Sequence, residues 1–144
     1  MEIKNRRVYY DYSIEETYEA GMVLKGTEIK SIRKGSVDLR DSYIHIKNQE
    51  AFIINMYIAK YEEGNQFNEE ERRTRKLLLK KTEIRKLEEK TNVEGYTLVP
   101  IKIYFKNRRA KVLIGVALGK KTYDKREVIK QRDLAREARK EAKL

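Results

Sequence analysis

Hydrophobic residues in this chain recur in short, alternating runs broken by small polar turns, the pattern of antiparallel strands rather than of long helices. The clearest pair spans residues 97–106 and 110–118, where Val99, Ile101, Ile103 and Phe105 alternate with Leu98, Pro100, Lys102 and Tyr104. Asn107, Arg108 and Arg109 supply the turn between them, and Pro100, which has no N–H to donate, requires an edge or a bulge. Residues 37–46 and 51–58 form a second hairpin around Lys47, Asn48, Gln49 and Glu50. Upstream, Tyr9, Tyr10, Tyr12, Ile14, Thr17, Tyr18 and Val23 predict one extended segment over residues 8–24, with Gly21 as its bend or bulge.

Two short helices interrupt the strands. In residues 26–35, Thr27 is placed to cap the N-terminus, Glu28 to meet the helix dipole, and Gly35 to take the left-handed conformation beyond the last turn. Residues 82–92 carry Ile84 and Leu87 on one face, with Gly95 just past the end, and residues 61–74 form a polar, charged loop. The pattern is mainly β with short helices, which predicts a compact antiparallel β-barrel flanked by helices.

The pattern changes at Gly119. Residues 124–144 contain good helix formers and no Gly or Pro, yet Val128, Ile129, Leu134, Ala135, Ala138 and Ala142 are too few and too small for a packed stripe. Such a segment is expected to be disordered alone and to become helical only against a partner. The chain therefore divides into a body, residues 1–118, and a basic C-terminal tail, residues 119–144.

Composition sharpens this division. A length of 144 residues at 40% hydrophobic supports one modest core, and the net charge of +11 is unevenly spread. The tail carries ten Lys/Arg against five Asp/Glu, and residues 72–81 carry six Lys/Arg and no acid, so the rest of the body sums to zero. That distribution points to a polyanionic partner. No run approaches the roughly 18 apolar residues of a spanning helix, and the opening residues lack the apolar region of a signal peptide. A soluble, unexported protein with no membrane partner is expected. Without cysteine, disulfides, thiolate catalysis and Cys-ligated metals are excluded, which fits a reducing cytoplasm.

The residues of catalysis do not assemble. His45 is the only histidine and has no second imidazole to share a metal or a proton; it reads as an ordinary strand residue. No G-x-S-x-G is present. Gly119-Lys120-Lys121-Thr122 superficially matches the end of a phosphate-binding loop, but Gly115 lies one residue too close and a lysine stands at the Ser/Thr position. Gly21 and Gly26 have the right spacing but are followed by Thr27 instead of lysine. Glu62, Glu63, Glu69, Glu70 and Glu71 could hold a divalent ion for phosphodiester cleavage, which makes a metal-dependent RNA nuclease the alternative function. Their position directly before Arg72, Arg73, Arg75 and Lys76 instead suits acids that shape a basic patch. Arg108 and Arg109 at a hairpin tip, Arg6 and Arg7 before three tyrosines, and the basic run around Leu77, Leu78 and Leu79 together suit nucleic acid, with phosphates bound by guanidinium and bases stacked on phenol rings. On these features alone DNA and RNA stay undistinguished.

A colinear series of short motifs then carries a resemblance: Asn5-Arg6-Arg7, Glu19-Ala20-Gly21, Gly26-Thr27-Glu28-Ile29-Lys30-Ser31-Ile32-Arg33, Asp41-Ser42-Tyr43, Gly64-Asn65, Arg75-Lys76-Leu77-Leu78-Leu79, Tyr104-Phe105-Lys106-Asn107 and Gly119-Lys120-Lys121 with Asp124-Lys125-Arg126. In this order they resemble the small protein B family, the SsrA-binding (tmRNA-binding) partners of bacterial trans-translation. The resemblance implies an oligonucleotide-binding-like barrel without catalytic activity, cofactor or metal. The implied role is to bind the tRNA-like domain of tmRNA and deliver it to ribosomes stalled on mRNA lacking a usable stop codon. It implies RNA contacts at Glu19, Leu78 and Lys111, with Asn65 and Lys76 as further candidates. It assigns Gly119, Lys120, Lys121, Tyr123, Asp124, Lys125, Arg126 and Lys130 to the decoding region and mRNA channel of the small ribosomal subunit. Elongation factor Tu and alanyl-tRNA synthetase follow as indirect partners through tmRNA, and the protein is expected to be cytoplasmic and monomeric. Members often carry His where this chain has Tyr57, Lys80 and Tyr123, and Pro where it has Lys60 and Glu71. Tyr123 can stack on a base but does not titrate near neutral pH.

Overall fold

The computed structural model describes residues 1–120, with the side chains of Asn65 and Gln66 excepted. The helical tail expected after Asp124 lies outside the described residues, as do Lys121, Tyr123, Asp124, Lys125, Arg126 and Lys130. In chain order the described elements are β1 (Glu2–Lys4), α1 (Val8–Asp11), β2 (Tyr12–Met22), α2 (Gly26–Arg33), β3 (Val37–Asp38), β4 (Tyr43–Lys47), β5 (Glu50–Ile54) and β6 (Tyr57–Ile58). A 3-10 helix (Glu62–Phe67), β7 (Arg75–Leu78), α3 (Lys81–Thr91), β8 (Tyr96–Lys106) and β9 (Arg109–Gly119) follow.

Every strand pairing is antiparallel, and the order β8-β4-β5-β7-β2-β9 returns to β8, so six strands close into a ring with β1 added beside β8. The mainly β architecture and the flanking helices are those the hydrophobic pattern predicts. Both hairpin turns are tighter than expected. Asn48 and Gln49 (φ 51° and 62°) and Asn107 and Arg108 (φ 52° and 66°) are two-residue loops with positive φ at both positions, the signature of the turn whose twist matches the strands it joins.

Ile44, Ile53, Leu77, Leu98, Ile103, Val112, Ile114 and Val116 point inward and fill the barrel, while Ile32, Leu39, Met56, Ile58 and Leu87 seal it from the flanking elements. The expected bulge at Pro100 is present, as a register shift between Pro100 and Lys102. It breaks the strict alternation: Leu98 and Ile103 face the main core, whereas Val99 and Ile101 join Val8 and Ala117 in a second cluster outside the barrel. One face for Val99, Ile101, Ile103 and Phe105 is thus corrected to two faces, because the extra residue inverts the strand's phase.

Three further expectations change. Residues 8–24 are not one extended segment: Val8–Asp11 form a single helical turn that seats Val8 in the second cluster, and this burial overrides the strand propensity of Tyr9 and Tyr10. The irregularity of β2 falls between Ile14 and Glu16 rather than at Gly21, which instead pairs with Leu78 on one side and Lys111 on the other. The N-cap of α2 is Lys25, not Thr27; the Glu28 carboxylate accepts the Lys25 N–H at 2.9 Å, while the Thr27 hydroxyl donates to the Phe67 carbonyl at 3.4 Å. Gly35 does take positive φ (77°), and its N–H bonds to Ile32 while Ser36 bonds to Ser31, which closes the helix end.

The basic run of residues 72–81 is largely consumed inside the body. Arg75 is fully buried: its Nε donates to Glu28 at 2.6 Å, and its other nitrogens donate to the carbonyls of Met56 at 2.7 Å and Glu71 at 3.0 Å. Arg73 donates to the other Glu28 oxygen at 2.7 Å, Arg72 to the Asn55 carbonyl at 3.1 Å, and Lys76 pairs with Glu50 at 2.6 Å. Burial would raise the Glu28 carboxyl, but Arg73, the Lys25 N–H and Arg75 together hold it below the ordinary glutamate range.

Glu28→Ala leaves two guanidinium groups without their carboxylate, and a loss of about 3–5 kcal/mol is expected in urea denaturation. Because the folded state holds this carboxyl low, its contribution is present above the ordinary glutamate pKa of 4.5 and fades as the pH falls through the lower folded value. The acid limb of the stability profile should therefore be shallower in Glu28→Ala than in the wild type, the remainder coming from other carboxyls held low, Glu19 and Asp38 among them.

Candidate nucleic-acid interface

Strand alternation decides what the barrel shows outside. On β7, Arg75 and Leu77 turn inward, which puts Lys76 and Leu78 on the outer surface; Leu78 is 54% exposed. Gly21 on β2 lies beside it, and a Cβ built there would sit 3.5 Å from the Leu78 Cβ and 3.7 Å from the Lys111 ammonium. Lys111 on β9 is the register partner of Gly21 on one side and of Tyr104 on the other. Three strands distant in sequence thus bring Gly21, Leu78 and Lys111 into contact distance. With Met22, Leu24, Ile29, Arg108 and Arg109 they line a groove of about 460 Å³, apolar along its floor and cationic at the hairpin tip.

Glu19 stands two residues along the same outer face. Its carboxylate accepts the Tyr104 hydroxyl at 2.5 Å and the Lys106 ammonium at 3.4 Å. The Tyr104 hydrogen bond holds the Glu19 carboxyl below its usual range against the opposing effect of burial, and Lys106 and Lys111 add to the lowering. Burial and the Glu19 carboxylate raise the Tyr104 phenol well above its usual range. At neutral pH the pair is a carboxylate and a protonated phenol. Among the described residues the Lys111 ammonium takes no hydrogen bond and no ion pair.

The other candidates separate. Lys76 shares the outer face of β7 but is committed to Glu50. Asn65 lies on the 3-10 helix, which is fixed against α2 by the Thr27–Phe67 bond and the Lys34–Glu63 ion pair. Gly119 and Lys120 lie at the far end of β9, where the Lys120 N–H bonds to the Asp11 carbonyl at 2.6 Å and its ammonium reaches the Tyr9 carbonyl at 3.5 Å. At about 3.3 Å per residue, the eight steps from Lys111 to Gly119 set the two groups about 26 Å apart.

The sequence offers Tyr104 and Lys106 as members of one short motif without tying them to Glu19; on the strand they share the outward parity of Lys102. Of the acids considered for a nuclease, Glu63 pairs with Lys34, Glu69 with Arg73, Glu70 accepts the Arg72 N–H and Glu71 the Tyr57 hydroxyl, and among the described residues no group of three carboxylates or histidines converges to hold a metal. His45 is an exposed residue of β4 opposite Phe52. No helix among the described residues is long and apolar enough to cross a membrane.

A small closed antiparallel barrel with cations, a phenol and an exposed leucine along one outer face is an oligonucleotide-binding-like body. Residues 2–144 match the family model described as SmpB protein, and the chain belongs to that family. It is 58% identical over 138 residues to the SsrA-binding protein of Staphylococcus saprophyticus, covering 93% of this chain and 90% of that one. It is 59% identical over 134 residues to the SsrA-binding protein of Macrococcus caseolyticus, covering 93% and 88%. A solved structure described as "tmRNA-SmpB: a journey to the center of the bacterial ribosome" contains a chain that superposes with a TM-score of 0.74 at 50% identity, over 89% of this chain and 94% of that one.

Two adjacent leucines separate packing from surface. Leu77→Ala is expected to cost about 2–5 kcal/mol, and Leu78→Ala to change stability by less than about 0.5 kcal/mol, both read by chemical denaturation.

Proposed function

We propose that this chain is a non-enzymatic RNA-binding protein that holds the tRNA-like domain of tmRNA and brings it to ribosomes stalled on mRNA lacking a usable stop codon. The observation that carries this reading is the meeting of Gly21, Leu78 and Lys111 on one outer face, with Glu19 beside them. Gly21, Leu78 and Lys111 come from separate strands, and the resemblance to the family implies RNA contacts at Glu19, Leu78 and Lys111. SsrA-binding relatives above 50% identity and a ribosome-associated structural neighbour support the same role.

The chemistry of the face suits structured RNA. Lys111, Arg108 and Arg109 supply cations for phosphates, while Leu78 and the apolar floor of the groove accept the face or edge of an unstacked base or ribose. Lys76 contributes only by exchanging Glu50 for a phosphate, and Asn65 extends the contact to the edge formed by the 3-10 helix. The body, residues 1–118, carries RNA recognition. The tail, residues 119–144, carries the ribosomal role: Gly119, Lys120, Lys121, Tyr123, Asp124, Lys125, Arg126 and Lys130 engage the decoding region and the vacant mRNA path. Elongation factor Tu and alanyl-tRNA synthetase act on the same RNA and meet the protein through it, in the cytoplasm, with the protein as a monomer.

Lys111→Ala should weaken binding to the tRNA-like domain about tenfold and reduce the slope of log affinity against log salt by about one, as expected for one lost phosphate contact. Equal affinity of the wild-type chain for that RNA and for an unrelated hairpin contradicts the reading. Removal of residues 121–144 leaves β9 and the Lys120–Asp11 bond in place. It should abolish peptide tagging on stalled ribosomes while RNA affinity stays within about threefold; a chain without these residues that no longer binds the RNA refutes the division of labour.

A further inference from the structure

Glu19 poses a physical difficulty for any RNA-binding face, because an exposed carboxylate repels phosphates. Its geometry resolves the difficulty. Glu19 is on β2 and Tyr104 on β8, with β9 between them; Glu19 stands opposite Leu113, and Tyr104 opposite Lys111. To reach the carboxylate at 2.5 Å the phenol must lie across β9, between Leu113 and Lys111. The second carboxylate oxygen draws in Lys106 at 3.4 Å. From the other side the Lys102 ammonium approaches the Tyr104 ring to 5.4 Å from its centroid and is itself held by Glu2 at 2.9 Å.

We infer that Glu19 is a positioning residue, which fixes the Tyr104 phenol and the Lys106 ammonium over β9 beside Lys111, and that Tyr104 is the group of this cluster that meets the RNA. The inference rests on the reading that this face binds a tRNA-like RNA, and it assigns Tyr104 a contact that charge counting passes over. The carboxylate's oxygens are committed to two neighbours and the Lys106 ammonium offsets its charge, so the RNA faces a half-buried aromatic ring flanked by ammonium groups. A ring held in one orientation offers a stacking surface for an unpaired base or a ribose edge with little further ordering to be done on binding. A freely rotating tyrosine at the same place would have to be immobilised by the RNA.

A double-mutant cycle in the full-length chain, with the tRNA-like domain of tmRNA as probe, tests this. Glu19→Ala and Tyr104→Ala are each expected to lose about tenfold in affinity, and the double variant to be within about twofold of either alone, since both remove the same contact. Glu19→Gln keeps an amide oxygen that accepts the phenol, so its affinity should stay within about threefold of wild type. Ring resonances of Tyr104, followed by NMR in the free protein, should change in Glu19→Ala and persist in Glu19→Gln, a readout that a general loss of stability does not mimic. Losses that multiply to about a hundredfold in the double variant overturn the inference, because Glu19 then touches the RNA independently. It is overturned equally if Glu19→Gln is as weak as Glu19→Ala, or if neither alanine variant alters affinity. Lys111→Ala in the same assay keeps the two levels apart. Multiplying losses with Lys111 dependence intact defeat only the positioning role, whereas a wild-type chain that does not prefer this RNA to an unrelated hairpin defeats the underlying reading.

Discussion

The arrangement of this molecule depends on a fully buried guanidinium. Arg75 has no solvent to satisfy its five N–H donors, so the chain must bring acceptors to it: the Glu28 carboxylate from α2, the Met56 carbonyl after β5, and carbonyls from the end of the loop that precedes β7. Satisfying one side chain thereby fixes three otherwise separate segments. It also sets the phase of β7. A slip of one residue would put Lys76 into the core and turn Leu77 outward, so the ion pair and the hydrophobic pattern enforce the same register. With Arg75 and Leu77 inside, Leu78 has to emerge on the outer face, beside Gly21.

β9 does comparable work on the other side of the ring. It pairs along nearly its whole length with both β2 and β8, and it closes the barrel. Because it is long and straddled by both neighbours, its ends are well separated: Lys111 belongs to the groove at one end, while at the other Gly119 pairs with Tyr12 and Lys120 bonds to Asp11 and Tyr9 of α1. A scaffold of this kind allows one chain to hold an RNA with its body while its tail departs from a distant and anchored root.

Much of this was legible in the sequence because it depends on local rules. The two hairpins follow from alternation and polar turns, Gly35 from the demand for positive φ, and the bulge from a proline inside a strand. What stayed hidden depends on tertiary partners. Arg73 and Arg75 read as part of a basic surface, since nothing in their neighbourhood reveals that Glu28, far upstream, will neutralise them. Val8 turns a strand-like run into a helical turn because it is buried there against Val99, Ile101 and Ala117. Of the site, Glu19 and Leu78 were visible through motif order and Lys111 through the family resemblance; Tyr104 stood in a motif too, but its tie to Glu19 stayed hidden because that bond reaches across β9.

The central claim is that the outer face formed by β2, β7, β8 and β9 is where RNA binds. Amide chemical-shift mapping of the full-length protein during titration with the tRNA-like domain of tmRNA tests it most directly. The account predicts that the largest changes in the body gather at Glu19, Gly21, Leu78, Tyr104 and Lys111, while β3, β4 and β6 stay quiet. Changes centred on β3, β4 and β6, with the Gly21–Leu78–Lys111 groove unaffected, would contradict it.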